Sequence, residues 1–183
     1  MMLRHLPNLI SIGRMAMAVP IAWLVLTGDV LTAAILFVIV AASDAVDGAL
    51  ARRYGWQSRL GSILDPLADK LLMLLTALAL WQVAKLPGWF VALVLVKDLC
   101  IIVGAFAYHK LIAPLAAEPS AISKLCTAIH ASMLVAFMLN PQFGIDDRVC
   151  QLLLIATTVL IVGSGVHYIG RYTRRAIAHS RQH

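Results

Sequence analysis

Residues 44–70 read DAVDGALARRYGWQSRLGSILDPLADK. The stretch carries four aspartates, Asp44, Asp47, Asp65 and Asp69, and no glutamate, in a chain of 183 residues with nine acids in all. Carboxylates at membrane depth are costly and are tolerated mainly where they do chemistry. Asp44 and Asp47 are three apart and share a helix face. Gly48 and Ala51 continue that face, and Arg52 follows one position on. Beyond a short loop, Gly61, Asp65 and Asp69 repeat at four-residue steps, a single stripe on the next helix. Two helices joined this way can bring both stripes, and four carboxylates, together.

The surrounding composition decides the fold class. The chain is 61% hydrophobic and 13% charged, with mean hydropathy +0.88. Soluble domains are closer to half apolar and a quarter charged, so the solvent for most of this chain is expected to be lipid. A spanning helix needs about 20 residues. Runs of that order recur at Pro7–Thr27, Leu31–Arg52, Leu60–Val83, Trp89–His109, Ile122–Leu139 and Val149–Arg171. Gly28-Asp29, Gly55, Pro87-Gly88, Pro114 through Pro119 and Asn140-Pro141 punctuate them. The expectation is an all-α membrane protein, a six-helix transmembrane bundle forming a single domain over residues 1–183. The first run is longer than a signal-peptide core and has no small-x-small cleavage site after it, so it is read as a span. Residues 1–13 mix Arg4, His5 and Asn8 with apolar neighbours and suit an interfacial segment.

Charge orients the bundle. One set of connections holds Arg4, Arg52, Arg53, Arg59, Lys110, Arg171, Arg174, Arg175 and Arg181; the opposite set holds Lys85 and Arg148 with Asp29, Asp146 and Asp147. Positive residues stay inside. Both termini, the aspartate hairpin and the basic tail of residues 172–183 are therefore expected on the cytoplasmic side. The tail reads as a topology and lipid-headgroup signal rather than a nucleic-acid patch. Cys100, Cys126 and Cys150 lack metal-type spacing and read as small buried hydrophobes.

Four like charges in a low-dielectric site do not all stay ionised unaided; protonation or bound cations must relieve them. Oxygen ligands without His or Cys select Mg²⁺, Mn²⁺ or Ca²⁺ over zinc. Two divalent ions would balance four carboxylates, and such a pair clamps phosphoryl groups undergoing displacement. Small residues on the same face admit a phosphate close to the backbone, and Arg52 offers a planar fork for its oxygens. Plainer readings exist for each residue. Asp65-Pro66 fits a helix cap followed by a first-turn proline, Gly48, Ala51 and Gly61 fit helix packing, and aspartates in a bundle also line cation channels and transporters. None of these explains the matched stripes together, and a channel has no need of Arg52 among its acids.

The pattern D-x2-D-G-x2-A-R-x8-G-x3-D-x3-D, here Asp44, Asp47, Gly48, Ala51, Arg52, Gly61, Asp65 and Asp69, resembles the signature of the CDP-alcohol phosphatidyltransferases without departure in residue or spacing. The resemblance implies six transmembrane helices, a homodimer, a cytoplasm-facing intramembrane polar cavity and a bacterial inner-membrane location. It implies two divalent cations, Mg²⁺ or Mn²⁺, on Asp44, Asp47, Asp65 and Asp69. It further implies a CDP-diacylglycerol donor held by Gly48, Ala51, Arg52 and Gly61, CMP as leaving group, and Asp69 as base for the incoming alcohol.

The signature does not name the alcohol. Candidate acceptor-binding cations are Arg14, in NLISIGR, Lys97 and Lys124. The segments LVKDLCII, SAISKLCTAIH and HYIGR resemble the CMP-forming cardiolipin synthases of the family, with Lys97 in place of an arginine. Cys126 stands where phosphatidylglycerophosphate synthases carry a second lysine. Fewer cations suit phosphatidylglycerol, giving cardiolipin, better than glycerol 3-phosphate, giving phosphatidylglycerophosphate. Lys97 also has a ready ion-pair partner in Asp98.

Overall fold

The computed structural model describes the backbone of residues 6–54, 61–111 and 121–180, and the side chains of residues 11–43, 65, 67–101, 103, 125–140 and 142–166. The described residues form six α-helices: α1 Leu6–Thr27, α2 Val30–Tyr54, α3 Gly61–Gln82, α4 Gly88–Leu111, α5 Ala121–Phe143 and α6 Asp147–Ser180. Each apolar run corresponds to one helix, and all ends but two move by two residues or fewer.

The turns follow from local chemistry. Gly28 adopts a left-handed φ of 91° after α1, and the Asp29 carboxylate accepts from the Thr32 N–H at 3.3 Å to cap α2. After α3, the Lys85 N–H returns to the Leu80 carbonyl at 2.9 Å, with Ala84 held at φ 56°.

Two differences from the sequence reading concern proline and charge. Asn140-Pro141 does not end α5, which runs to Phe143; the chain turns at Gly144, at φ 58°, whose N–H bonds the Asn140 carbonyl at 3.0 Å. A left-handed turn is open to glycine without strain, so the glycine rather than the proline sets the end. At the other extreme, α6 does not stop at Arg171 but continues to Ser180, so most of the basic tail is helical.

The chain divides into two compact units. The first comprises Met1–Pro87 and Leu134–Asp146. Here α1 packs most extensively on α3 and next on α2. The inner stripe of α1 is Ser11, Arg14, Ala18, Ile21 and Val25, all buried at helical spacing. On α3 the buried positions are Ala68, Leu72, Thr76 and Leu80, and on α2 they include Ala33, Ala34 and Phe37. The second unit comprises Gly88–Met133 and Asp147–His183. There α4 packs on α6, with Phe90, Val91, Val94, Cys126, Met133 and Ile161 in its core.

Among the described residues, the stretch Asp147–Val166 of α6 is long and apolar enough to cross a membrane; Ser11–Thr27, Val30–Ser43 and Leu125–Asn140 are shorter apolar stretches. Leu152, Ile155, Val159, Val162 and Val166 form an exposed stripe along α6. An apolar face of this length is unfavourable in water and fits contact with lipid or protein.

Candidate active site

Helix geometry brings the signature into one unit. Asp44, Asp47, Gly48, Ala51 and Arg52 occupy the last three turns of α2, and Gly61 opens α3. The side chains of these six residues, and of Lys124 in α5, lie outside the described residues. Asp65 and Asp69 are described. They stand one turn apart on α3, both partly buried.

Asp65 is not a helix cap. It is the fifth residue of α3, and its Oδ1 accepts a hydrogen bond from the hydroxyl of Ser11 on α1. Ser11 is fully buried, and Arg14, one turn further along the same stripe, is 3% exposed. The stripe of α1 that packs on α3 is therefore polar at one end and apolar at the other. Neither Arg14 nor Asp69 is without a partner. A carboxylate has about four lone-pair directions, so the single bond from Ser11 orients Asp65 and leaves acceptor capacity for a ligand.

This donor set fits a hard cation. Carboxylate oxygens are what Mg²⁺ and Mn²⁺ take, and a neighbouring hydroxyl that fixes one carboxylate oxygen is the usual support for a ligating group. Among the described residues no three His, Cys, Asp or Glu side chains gather, Asp65 and Asp69 being the described half of the aspartate set.

Ser11 was not singled out in the sequence, although NLISIGR spaces it three residues before Arg14 on one helix face. Ser11→Ala is expected to leave Asp65 without its donor. A hydrogen bond to a charged group contributes about 1.5–3 kcal/mol, and the variant should lose stability of that order in chemical unfolding of the detergent-solubilised protein. Unchanged stability would show that the bond is incidental.

The second unit carries the other candidate cation whose side chain is described. Lys97 Nζ lies 3.2 Å from the Asp98 carboxylate, so the ion pair foreseen in the sequence forms. Cys126 is buried and within hydrogen-bonding reach of the Ser164 hydroxyl, and Cys150 is also buried. Cys100 departs from the expectation: it is exposed on α4, on the side that also presents Val96, Leu99 and Val103.

The family model for CDP-alcohol phosphatidyltransferase matches residues 4–165. The chain belongs to the CDP-alcohol phosphatidyltransferase family. Its relatives within that family carry two kinds of name. One is the chloroplastic CDP-diacylglycerol–glycerol-3-phosphate 3-phosphatidyltransferase 1 of Oryza sativa subsp. japonica, 35% identical over 90% of this chain and 57% of the relative. A second is the cardiolipin synthase (CMP-forming) of Rattus norvegicus, 27% identical over 94% of this chain and 62% of the relative. The CDP-diacylglycerol–glycerol-3-phosphate 3-phosphatidyltransferase of Aquifex aeolicus is 31% identical over 90% of this chain and 93% of its own. The chain thus spans about three-fifths of the length of the first two. The Ser11–Asp65 contact and the Lys97–Asp98 pair both lie inside the region matched to the family.

Proposed function

We propose that this protein is an integral membrane enzyme of phospholipid biosynthesis that transfers a phosphatidyl group from CDP-diacylglycerol to an alcohol and releases CMP. The observation that carries the reading is the eight-residue signature on α2 and α3, inside a chain matched to the family over residues 4–165. A multi-pass arrangement with both termini and the site on the cytoplasmic side is the topology that the apolar runs and the distribution of basic residues support. The family match favours a transferase over the channel or transporter that an aspartate-lined bundle alone would allow.

In this reading Arg52 binds pyrophosphate oxygens through its planar guanidinium, and Gly48, Ala51 and Gly61 leave room for the nucleotide against the helix backbones. Asp44, Asp47, Asp65 and Asp69 would hold two divalent cations, Mg²⁺ or Mn²⁺, which would supply charge neutralisation at the pyrophosphate. Asp69 accepts the proton of the acceptor hydroxyl as its oxygen attacks the β-phosphorus that carries diacylglycerol. The new O–P bond forms, the P–O bond to CMP breaks, and CMP departs with the electron pair. A carboxylate is a weak base for an alcohol, so proton transfer must accompany bond formation in a held geometry.

The acceptor we favour is phosphatidylglycerol, giving cardiolipin. Its support is reduced cationic charge at two positions: Lys97 is paired with Asp98, and Cys126 occupies a position where the resembling sequences carry either an uncharged residue or a lysine. Glycerol 3-phosphate, with nearly two negative charges, calls for more. The second reading, glycerol 3-phosphate giving phosphatidylglycerophosphate, is favoured by the higher identity to the Oryza and Aquifex relatives. Purified protein given CDP-diacylglycerol and Mg²⁺, with phosphatidylglycerol or glycerol 3-phosphate offered separately, is expected to form cardiolipin, identified by mass. Robust phosphatidylglycerophosphate with no cardiolipin would overturn the acceptor and leave the transferase intact. A homodimer is the expected assembly.

A further inference from the structure

Six helical hydroxyls, those of Thr27, Ser43, Ser132, Thr157, Thr158 and Ser164, donate to a carbonyl three or four residues back on their own helix. That is the ordinary local bond of a helical serine or threonine. Ser11, the sixth residue of α1, is different: its hydroxyl donates across to the Asp65 Oδ1 on α3. Both helices belong to the first unit, where α1 packs most extensively on α3. Ser11 is fully buried, as are Ala18 and Ile21 further along its stripe, and Val25 is 1% exposed. Serine has a single torsion leading to its oxygen, so packing of the helix fixes where the donor stands. Asp65 is only half-buried, and its carboxylate is the group that adapts.

This contact bears on how Asp65 can ligate. A carboxylate meets a cation through one oxygen or through both. A proton donated to Oδ1 takes up one of its lone-pair directions and draws on its charge, which leaves Oδ2 the better ligand. Ca²⁺ accepts about 6–8 oxygens at about 2.3–2.6 Å in flexible geometry and takes carboxylates through one oxygen or both. Mg²⁺ demands near-octahedral geometry at about 2.0–2.1 Å, which the narrow bite of a two-oxygen carboxylate does not fit. Four aspartates by themselves admit either ion. A carboxylate held by one oxygen from behind does not serve them equally.

We propose that Ser11 is a positioning residue for cation discrimination: by holding Oδ1 it makes Asp65 a one-oxygen ligand through Oδ2, which favours Mg²⁺ over Ca²⁺. The proposal rests on the reading of the signature aspartates as cation ligands. It adds that the choice between two hard cations is made from α1, outside the signature.

The test uses the full chain in lipid nanodiscs, without CDP-diacylglycerol, as parent, Ser11→Ala, Ser11→Cys and Ser11→Thr. The rise of unfolding temperature with Mg²⁺ or Ca²⁺ concentration gives an apparent affinity for each ion. Loss of a group that orients a metal ligand costs about 10–100-fold in affinity. In Ser11→Ala the Mg²⁺ affinity is expected to fall at least about tenfold, with the Ca²⁺ affinity within about twofold of the parent. Ser11→Cys, close to serine in size and a weak donor, should move the ratio the same way and keeps the test open if the alanine variant does not fold. Ser11→Thr retains the hydroxyl and should keep the parental ratio within about twofold.

A purely structural role for Ser11 would lower the unfolding temperature without cation and leave the ratio of affinities unmoved. An unmoved ratio in the alanine and cysteine variants, or equal losses for both ions, would overturn the proposal and leave the aspartates as ligands. A ratio lost as fully in Ser11→Thr would mean that packing rather than the donor sets the preference, and would also overturn it. A parent that responds to neither cation would defeat the ligand reading and this proposal together.

Discussion

Asp69→Asn is expected to bind CDP-diacylglycerol and to transfer almost nothing. Asparagine matches aspartate in shape but cannot take a proton from the acceptor hydroxyl. General-base catalysis contributes about 10²–10⁴-fold, so single-turnover CMP release should fall by at least about 100-fold. Asp69 is one turn beyond Asp65 on α3, in the half of the helix that packs against the polar end of the α1 stripe. The change should therefore act locally, and donor binding, measured by equilibrium retention of labelled CDP-diacylglycerol, should survive. Asp47→Asn provides the contrast, since loss of a ligating carboxylate should raise the cation requirement as well. If folded Asp69→Asn turns over at the parental rate, another group accepts the proton.

The helices were legible because an apolar run bounded by glycine and proline leaves little choice of structure. Gly28 and Pro87-Gly88 mark real ends. Pro141 misled because a proline costs one backbone hydrogen bond, and α5 absorbs it two residues before its end, with Gly144 completing the turn. Arg171 misled because hydropathy reports where lipid ends, while helix hydrogen bonding continues through the basic tail.

The aspartate stripes were legible because helical spacing alone places Asp65 and Asp69 on one face. The role of Ser11 was not. It sits on a helix that is apolar nearly all round, so periodicity carries little information about which face turns inward. Ser11 matters because α3 brings Asp65 to it. That fact belongs to tertiary packing, and in a membrane chain the pattern of polar residues does not betray it.

Removal of divalent cations is expected to abolish CMP release altogether. Two unit charges 4 Å apart repel by about 4 kcal/mol at an effective dielectric near 20, and the signature commits four carboxylates to neighbouring helix ends. Without cations, some must protonate or move apart, and a pyrophosphate would add further negative charge. The proposed cations would contribute several kcal/mol to the transition state, so the loss on exhaustive chelation should reach about 1,000-fold or more. Added Mg²⁺ or Mn²⁺ should restore the rate, because the proposed ligands are all carboxylate oxygens. Binding also stabilises whatever state it prefers. Mg²⁺ should therefore raise the unfolding temperature of the parent, and raise it less in Asp47→Asn, a readout that needs no substrate. Full turnover after chelation, with no thermal response to Mg²⁺, would mean that the four aspartates are held by protonation and internal hydrogen bonds such as Ser11–Asp65. The phosphoryl charge would then fall to Arg52 alone.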